Sequence, residues 1–237
     1  MIFIHVLKNI YINNMDSVNQ DILIEILINL DVRHLILNVS ILNKFFNVFV
    51  SNEIIKRIKV LNCGCNFQDF HIEKFASLTS LHLGQNNIIT DKGLNALTNI
   101  TSLKIAGNRN ITNTGLIKLI SLVDLNLGFN DNITYEGMRE LIFLRSLGLG
   151  FNSAITNKEI CQMTSLTNLN LGWSESITDE GISKLISLKI LDLGSNDNIS
   201  DKGISKLTSL TNLDLGSNEI ITDRGISQLT SLTNLNL

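Results

Sequence analysis

Leucine and isoleucine recur along most of the chain with one fixed period. Leu78, Ile100, Leu122, Leu144, Leu166, Leu188, Leu210 and Leu232 stand 22 residues apart, and each opens a unit of the form L-x-x-L-x-L-G-x-N-x-x-I-T-D-x-G-L-x-x-L-x-x. A period of this kind marks a repeat architecture. In the first copy the alternation Leu81-x-Leu83 predicts a short strand with its leucines turned inward. Thr90-Asp91, just ahead of Gly93-Leu94-x-x-Leu97, predicts a helix start, where a polar side chain accepts from exposed backbone N–H groups. One strand and one helical turn cannot bury their own leucines, whereas stacked copies can. The expected fold is therefore α/β: a solenoid with a parallel β-sheet on the concave side and short helices or turns on the convex side. Residues 78–237 hold seven such units and the start of an eighth. Residues 58–77 read as a degenerate first repeat, since Ile58, Leu61, Cys63 and Asn66 fit the frame with two residues missing.

Departures from the frame are as informative as the frame. Asn86, Asn108, Asn130, Asn152, Asn196 and Asn218 occupy one column, where an inward amide satisfies loop backbone groups. Ser174 stands there in the fifth unit, and a looser loop is expected. Glu159 replaces the glycine found at Gly137 and Gly181; if that position needs a positive φ, Glu159 is strained.

The I-T-D-x-G-L units resemble the leucine-rich repeats of the F-box/leucine-rich-repeat and related intracellular families. That resemblance implies a protein-binding solenoid. Residues 18–58 have another texture. Ile22, Leu23, Ile26, Leu27 and Leu30 form an apolar stripe at helical spacing, followed by Val39, Ile41, Leu42, Phe45, Phe46 and Phe49. About forty residues cannot hide all of this internally, so a partner surface is expected. With Val18 and Asn19 ahead of Asp21-Ile22-Leu23, and Val39-Ser40-Ile41-Leu42-Asn43-Lys44-Phe45-Phe46 further on, residues 15–57 resemble a divergent F-box, a small all-α domain. Asn19 stands for the family's proline and Phe46 for its tryptophan. The resemblance implies docking to a Skp-type adaptor and a cullin scaffold through Val18, Ile22, Leu23, Ile26, Leu27 and Leu30. The alternative is a helical cap over the open end of the solenoid. Residues 1–14 read as a tail or a mis-assigned start, with Met15 as the other candidate initiator.

Composition narrows the function. A net charge of −3 with 17% charged residues gives no basic footprint for nucleic acid or an anionic membrane. No run of residues is long and apolar enough for a membrane helix. Three cysteines without a framework spacing suggest a reducing compartment, cytoplasmic or nuclear. No nucleotide, zinc-protease or serine-hydrolase motif is present. Cys63-Gly-Cys65 with His71 lacks a fourth ligand, so neither a metal nor a cofactor is expected.

Two columns are candidates for cargo binding. Between the strand leucines run His82, Lys104, Asn126, Gly148, Asn170, Asp192, Asp214 and Asn236, basic at one end and acidic at the other. Just after each strand run Gln85, Gly107, Phe129, Phe151, Trp173, Ser195 and Ser217. Phe129, Phe151 and Trp173 can stack at the strand spacing of about 4.8 Å. They either form a binding hot spot or only stiffen the stack. The reading is a non-catalytic adaptor of a Skp–cullin–F-box-type ubiquitin ligase that holds a protein cargo. The alternative is a leucine-rich-repeat scaffold or effector without a ubiquitin role. The stack stops after the eighth strand, so its last edge is expected either to mark a fragment or to pair with another chain.

Overall fold

Every unit turns its hydrophobic columns into the same two walls of one stack. The computed structural model describes residues 59–63, 67–84 and 86–237, all within one of the two units into which the chain divides. The F-box-like segment, with Val18 and the stripe from Ile22 to Leu30, lies outside the described residues.

Nine strands follow in chain order: β1 (Val60–Asn62), β2 (Ser80–His82), β3 (Ser102–Lys104), β4 (Asp124–Asn126), β5 (Ser146–Gly148), β6 (Asn168–Asn170), β7 (Ile190–Asp192), β8 (Asn212–Asp214) and β9 (Asn234–Asn236). They form one parallel sheet in sequence order. From β2 onward each strand pairs with the residue one period on, Leu81 with Leu103 and so through Leu213 with Leu235. Only β1 departs: Leu61 pairs with Leu81. β1 is the first rung of the described sheet, and the connection from it to the next helix is two residues shorter than in the following unit.

Between strands lie one-turn helices: α1 (Asp69–Ile72), α2 (Asp91–Leu94), α3 (Asn113–Leu116), α4 (Tyr135–Met138), α5 (Asn157–Ile160), α6 (Asp179–Ile182), α7 (Asp201–Ile204) and α8 (Asp223–Ile226). Four residues cannot hold a helix by propensity. Caps and burial do it. Thr90, Thr112, Thr134, Thr178, Ser200 and Thr222 sit extended at the N-cap and accept from the N–H two residues on, a contribution of about 1 kcal/mol each. Leu94, Leu97, Ile100, Leu103 and Ile105 show how the apolar columns close together, each with no exposed surface.

Polar rungs tie neighbouring units on both sides of that core. Asn108 is fully buried; its Nδ2 donates to the carbonyls of Asn86 (2.7 Å) and Ile89 (2.9 Å), and its Oδ1 accepts from the N–H groups of Asn110 (2.8 Å) and Ile111 (3.1 Å). The column is thus a backbone-satisfying ladder and no ligand site. The Ser174 hydroxyl makes one bond, to the Asn152 carbonyl at 3.4 Å, yet the residue stays 2% exposed. The expected looseness is a loss of bonds and not an opening of the loop.

On the helix side, a carboxylate or amide of one unit reaches the cap of the next. Asp91 Oδ1 accepts from Thr112 N–H and its Oδ2 from the Thr112 hydroxyl, at 2.8 and 2.7 Å. Asp69, Asp179 and Asp201 do the same for Thr90, Ser200 and Thr222, whereas Asn113 and Asn157 accept from the N–H of Thr134 and Thr178 and donate their amides to the two hydroxyls. This explains the helical glycines. None of them has a positive φ; a Cβ on Gly93 would instead stand 2.6 Å from Asp69 Oδ1. Glu159 therefore carries no positive-φ strain. The residue before it in this ladder is Tyr135, which makes no such bond to Thr156. Glu159 caps Thr156 from within its own unit, accepting from the N–H at 3.0 Å and the hydroxyl at 2.6 Å. The two departures answer one another across the joint between the third and fourth units. That hydrogen bonding, led by the Thr156 hydroxyl, pulls the Glu159 carboxyl below its usual range.

Candidate binding surface on the loops and the sheet face

The strand leaves the sheet through a Leu-Gly step whose glycine has positive φ, as at Gly128 (51°), Gly150 (53°) and Gly172 (54°). An L side chain is strained in that conformation. The next residue is thrown outward, and in three consecutive units it is aromatic. Phe129 and Phe151 stack with centroids 4.4 Å apart and planes 14° from parallel; Phe151 and Trp173 follow at 4.9 Å and 13°. All three rings are about half exposed. The spacing matches the rise between units, so the rings are held by the backbone period. They stand on the strand-to-helix loop, beyond the strands, and thus do not share the sheet face with the charged column.

The ladder stops where it does for a conformational reason that the repeat alone did not reveal. The second unit has Ala106 where its neighbours have the turn glycine. Alanine does not take the left-handed turn readily, and the positive φ moves one residue on, to Gly107 (83°). The ring column is therefore empty at Gly107, where an added Cβ would meet nothing within 4 Å. At the other end Ser195 follows Trp173. Gln85 lies outside the described residues.

On the sheet face the predicted column is aligned by register: His82, Lys104, Asn126, Gly148, Asn170, Asp192 and Asp214 are successive partners. Its basic end is weaker than its composition implies. Burial, and then the charge of Lys104, hold His82 below the ordinary histidine range, so near neutral pH Lys104 carries that end. Gly148 is a gap over which the Asn126 amide lies. At the acidic end each carboxylate is braced: Asp192 accepts from Gly194 N–H (2.9 Å) and from the Asn170 amide. Asp214 accepts from Gly216 N–H (2.9 Å) and the Asn236 amide (2.9 Å).

Other candidate chemistry does not assemble. Among the described residues no three His, Cys, Asp or Glu side chains come within reach of one metal ion. Cys63 is buried in a core column, and burial pushes its thiol up; Cys65 lies outside the described residues. Cys161 follows α5 with its Sγ toward the Lys158 carbonyl. Among the described residues no helix is long and apolar enough to cross a membrane.

The sequence model described as "Leucine Rich repeat" matches residues 76–97, 96–120, 118–142, 162–185, 184–207 and 206–229. It passes over 143–161, the unit in which Glu159 has replaced glycine. No family model matches an F-box in residues 15–57. No curated protein matches the chain. Among solved structures, internalin C2 from Listeria monocytogenes is 28% identical with a TM-score of 0.58, over 79% of this chain and 83% of that one. Internalin inlF of the same bacterium is 22% identical with a TM-score of 0.50, over 77% and 68%. TLR13, in a complex with ssRNA13, is 22% identical with a TM-score of 0.58, over 79% of this chain and 33% of that one. The last two likenesses are of fold alone.

Proposed function

The chain belongs to the leucine-rich-repeat family, and on that premise we propose that it is a non-catalytic protein-binding scaffold. Its contact zone is the loop surface of the third to fifth units, with the neighbouring sheet face. The observation that carries this reading is the three-ring ladder. Half-exposed aromatic rings already held in place by the repeat lose little side-chain entropy on binding, which is what a hot spot requires. The stacked halves of the rings stiffen the loops, and the exposed halves are left for a partner. Replacing Phe129, Phe151 and Trp173 together by alanine abolishes partner recovery by the immobilised chain. The matched variant Ile120→Ala/Ile142→Ala/Ile186→Ala, which removes exposed apolar groups elsewhere, leaves it intact. Equal recovery by both variants would refute the reading.

A second reading, an adaptor that also docks a Skp-type protein and cullin, rests on the apolar pattern of residues 18–58 alone. Under it, Leu23→Asp/Leu27→Asp in the full chain removes Skp-type adaptor and cullin from the captured material while cargo stays. Their absence from wild-type captures leaves the plain scaffold.

A further inference from the structure

The surface that carries the ladder is electrically polarised along the stack, more completely than its strand column shows. From the start of each strand to the following helix cap, the first two units contribute Lys104 and Arg109, with His82 held below its ordinary range, and no carboxylate; the third contributes Asp124 and Asp131 and the fourth no charged residue. The same stretches of the fifth to seventh units, 168–178, 190–200 and 212–222, contribute Glu175, Asp192, Asp197, Asp214 and Glu219 and no Lys, Arg or His. Glu175, Asp197 and Glu219 are exposed, and none of the five is in an ion pair among the described residues.

Each end of the ladder presents one unstacked ring face to one of these fields. Phe129 faces the empty Gly107 position beside Lys104 and Arg109, with the exposed Asp131 two residues on in its own loop. Trp173 faces Ser195, a small residue, with Glu175 two residues on in its own loop and Asp197 in the next. Trp173 is 53% exposed, and among the described residues its one ring contact is with Phe151. Indole is the ring that attracts a cation most strongly, and here its own loop and the next each carry an exposed carboxylate.

We propose that the acidic half of this surface binds a basic segment of a protein partner, with one arginine guanidinium stacked on the open face of Trp173 above Ser195. The guanidinium is planar and continues the ladder as a fourth layer at its own spacing, while its N–H fork donates to the neighbouring carboxylates. Lysine supplies the charge without the plane. At the Phe129 end Lys104 and Arg109 offset Asp131, so the same cation is held less well there and the segment binds in one direction, its basic part toward the carboxyl-terminal units. Polyanions such as nucleic acid are excluded from the acidic half by the same field.

This inference rests on the scaffold reading but can fail separately from it. The test uses the full chain and the fluorescence of Trp173, its only tryptophan. A blocked peptide Gly-Arg-Gly-Arg-Gly is expected to give a saturable change. The change weakens with salt, because the charges are exposed. The citrulline analogue, which keeps the plane and loses the charge, binds about tenfold more weakly, and the lysine analogue falls between. Glu175→Gln/Asp197→Asn, both exposed sites, weakens the arginine peptide by about tenfold; adding Asp192→Asn weakens it further. About tenfold corresponds to about 1.4 kcal/mol. Equal binding of the arginine and citrulline peptides overturns the proposal. So do undiminished binding by the neutralised variants, preference for a glutamate peptide or an oligonucleotide, and a Trp173 change that follows protein concentration with no peptide present, which would make a second copy the occupant. If the charge variants change nothing while the ladder variant still loses its partner, only this inference falls.

Discussion

The first two and last two complete units of the solenoid keep nearly every rung of the repeat, whereas the third to fifth break it repeatedly. In the regular regions a buried asparagine ties each loop to the last, and an aspartate or asparagine reaches across to the next helix cap. In the middle, Tyr135 gives up the cross-unit bond, Glu159 replaces it locally, and the Ser174 hydroxyl makes one bond where an asparagine amide makes up to four. The same three units carry the aromatic ladder. Departures from an otherwise consistent local pattern tend to gather where function has been placed. Here the lost rungs lie behind the very surface proposed to bind.

The largest expected contrast is in the asparagine ladder. Asn108→Ala strands buried carbonyls of Asn86 and Ile89 and two loop N–H groups, and should cost about 3 kcal/mol by equilibrium unfolding. Ser174→Ala, at the equivalent place in the middle, should cost about 0.5 kcal/mol, since only one long bond is lost. Comparable costs would mean that the two regions are not differently tied. The middle can also be repaired: Ser174→Asn should raise stability by about 1 kcal/mol, as the added amide recovers the missing bonds.

The joint between the third and fourth units offers a sharper test. Glu159→Gly alone leaves Thr156 uncapped, and Tyr135→Asp alone drives a carboxylate against the Glu159 backbone. Together they rebuild the rung seen at Asp91 and Thr112. Each single change should destabilise by about 1 kcal/mol and the pair should be close to neutral, a coupling measurable as a double-mutant cycle. Additive losses would contradict the reciprocal reading of these two residues.

Acid should reach both kinds of rung only below the ordinary carboxylate values. Thr222 N–H and hydroxyl hold Asp201 below the usual carboxylate value of 3.8, and the bonds to Thr156 hold Glu159 below 4.5. In each case the folded state binds its proton less readily than the unfolded chain. The stabilisation is therefore complete above those values and is lost as pH falls through the lowered ones. Amide signals of Thr222 and Thr156 should titrate with midpoints below 3.8 and 4.5 respectively. The smallest effect concerns His82, whose ring should titrate below 6.5. Lys104→Met should raise that midpoint only part of the way, because burial is the larger cause.

The period carried almost all of the fold. Leucines 22 residues apart dictated the sheet order and the register, and the two residues missing near Leu61 marked the shortened first loop. What the sequence left open are contacts between units. The helical glycines looked like positive-φ positions, but they make room for Asp69 and its counterparts, a constraint that joins residues more than 20 apart and leaves no local signature. Tyr135 and Glu159 could be linked only once the stack placed one beside the other. The aromatic column was legible as a column; its place on the loop, outside the sheet face, depends on the turn at Gly128, Gly150 and Gly172. His82 counted as a cation until burial and Lys104 were considered together. The F-box resemblance concerns residues outside those described.

The account stands most directly on one photo-crosslinking experiment with the full chain. Benzoylphenylalanine is placed either at Phe151, in the centre of the ladder, or at Phe143, equally a phenylalanine and 53% exposed but on the helix-to-strand connection. The account predicts partner crosslinks from position 151 and none from 143. Crosslinks from 143 alone, or equally from both, would contradict it.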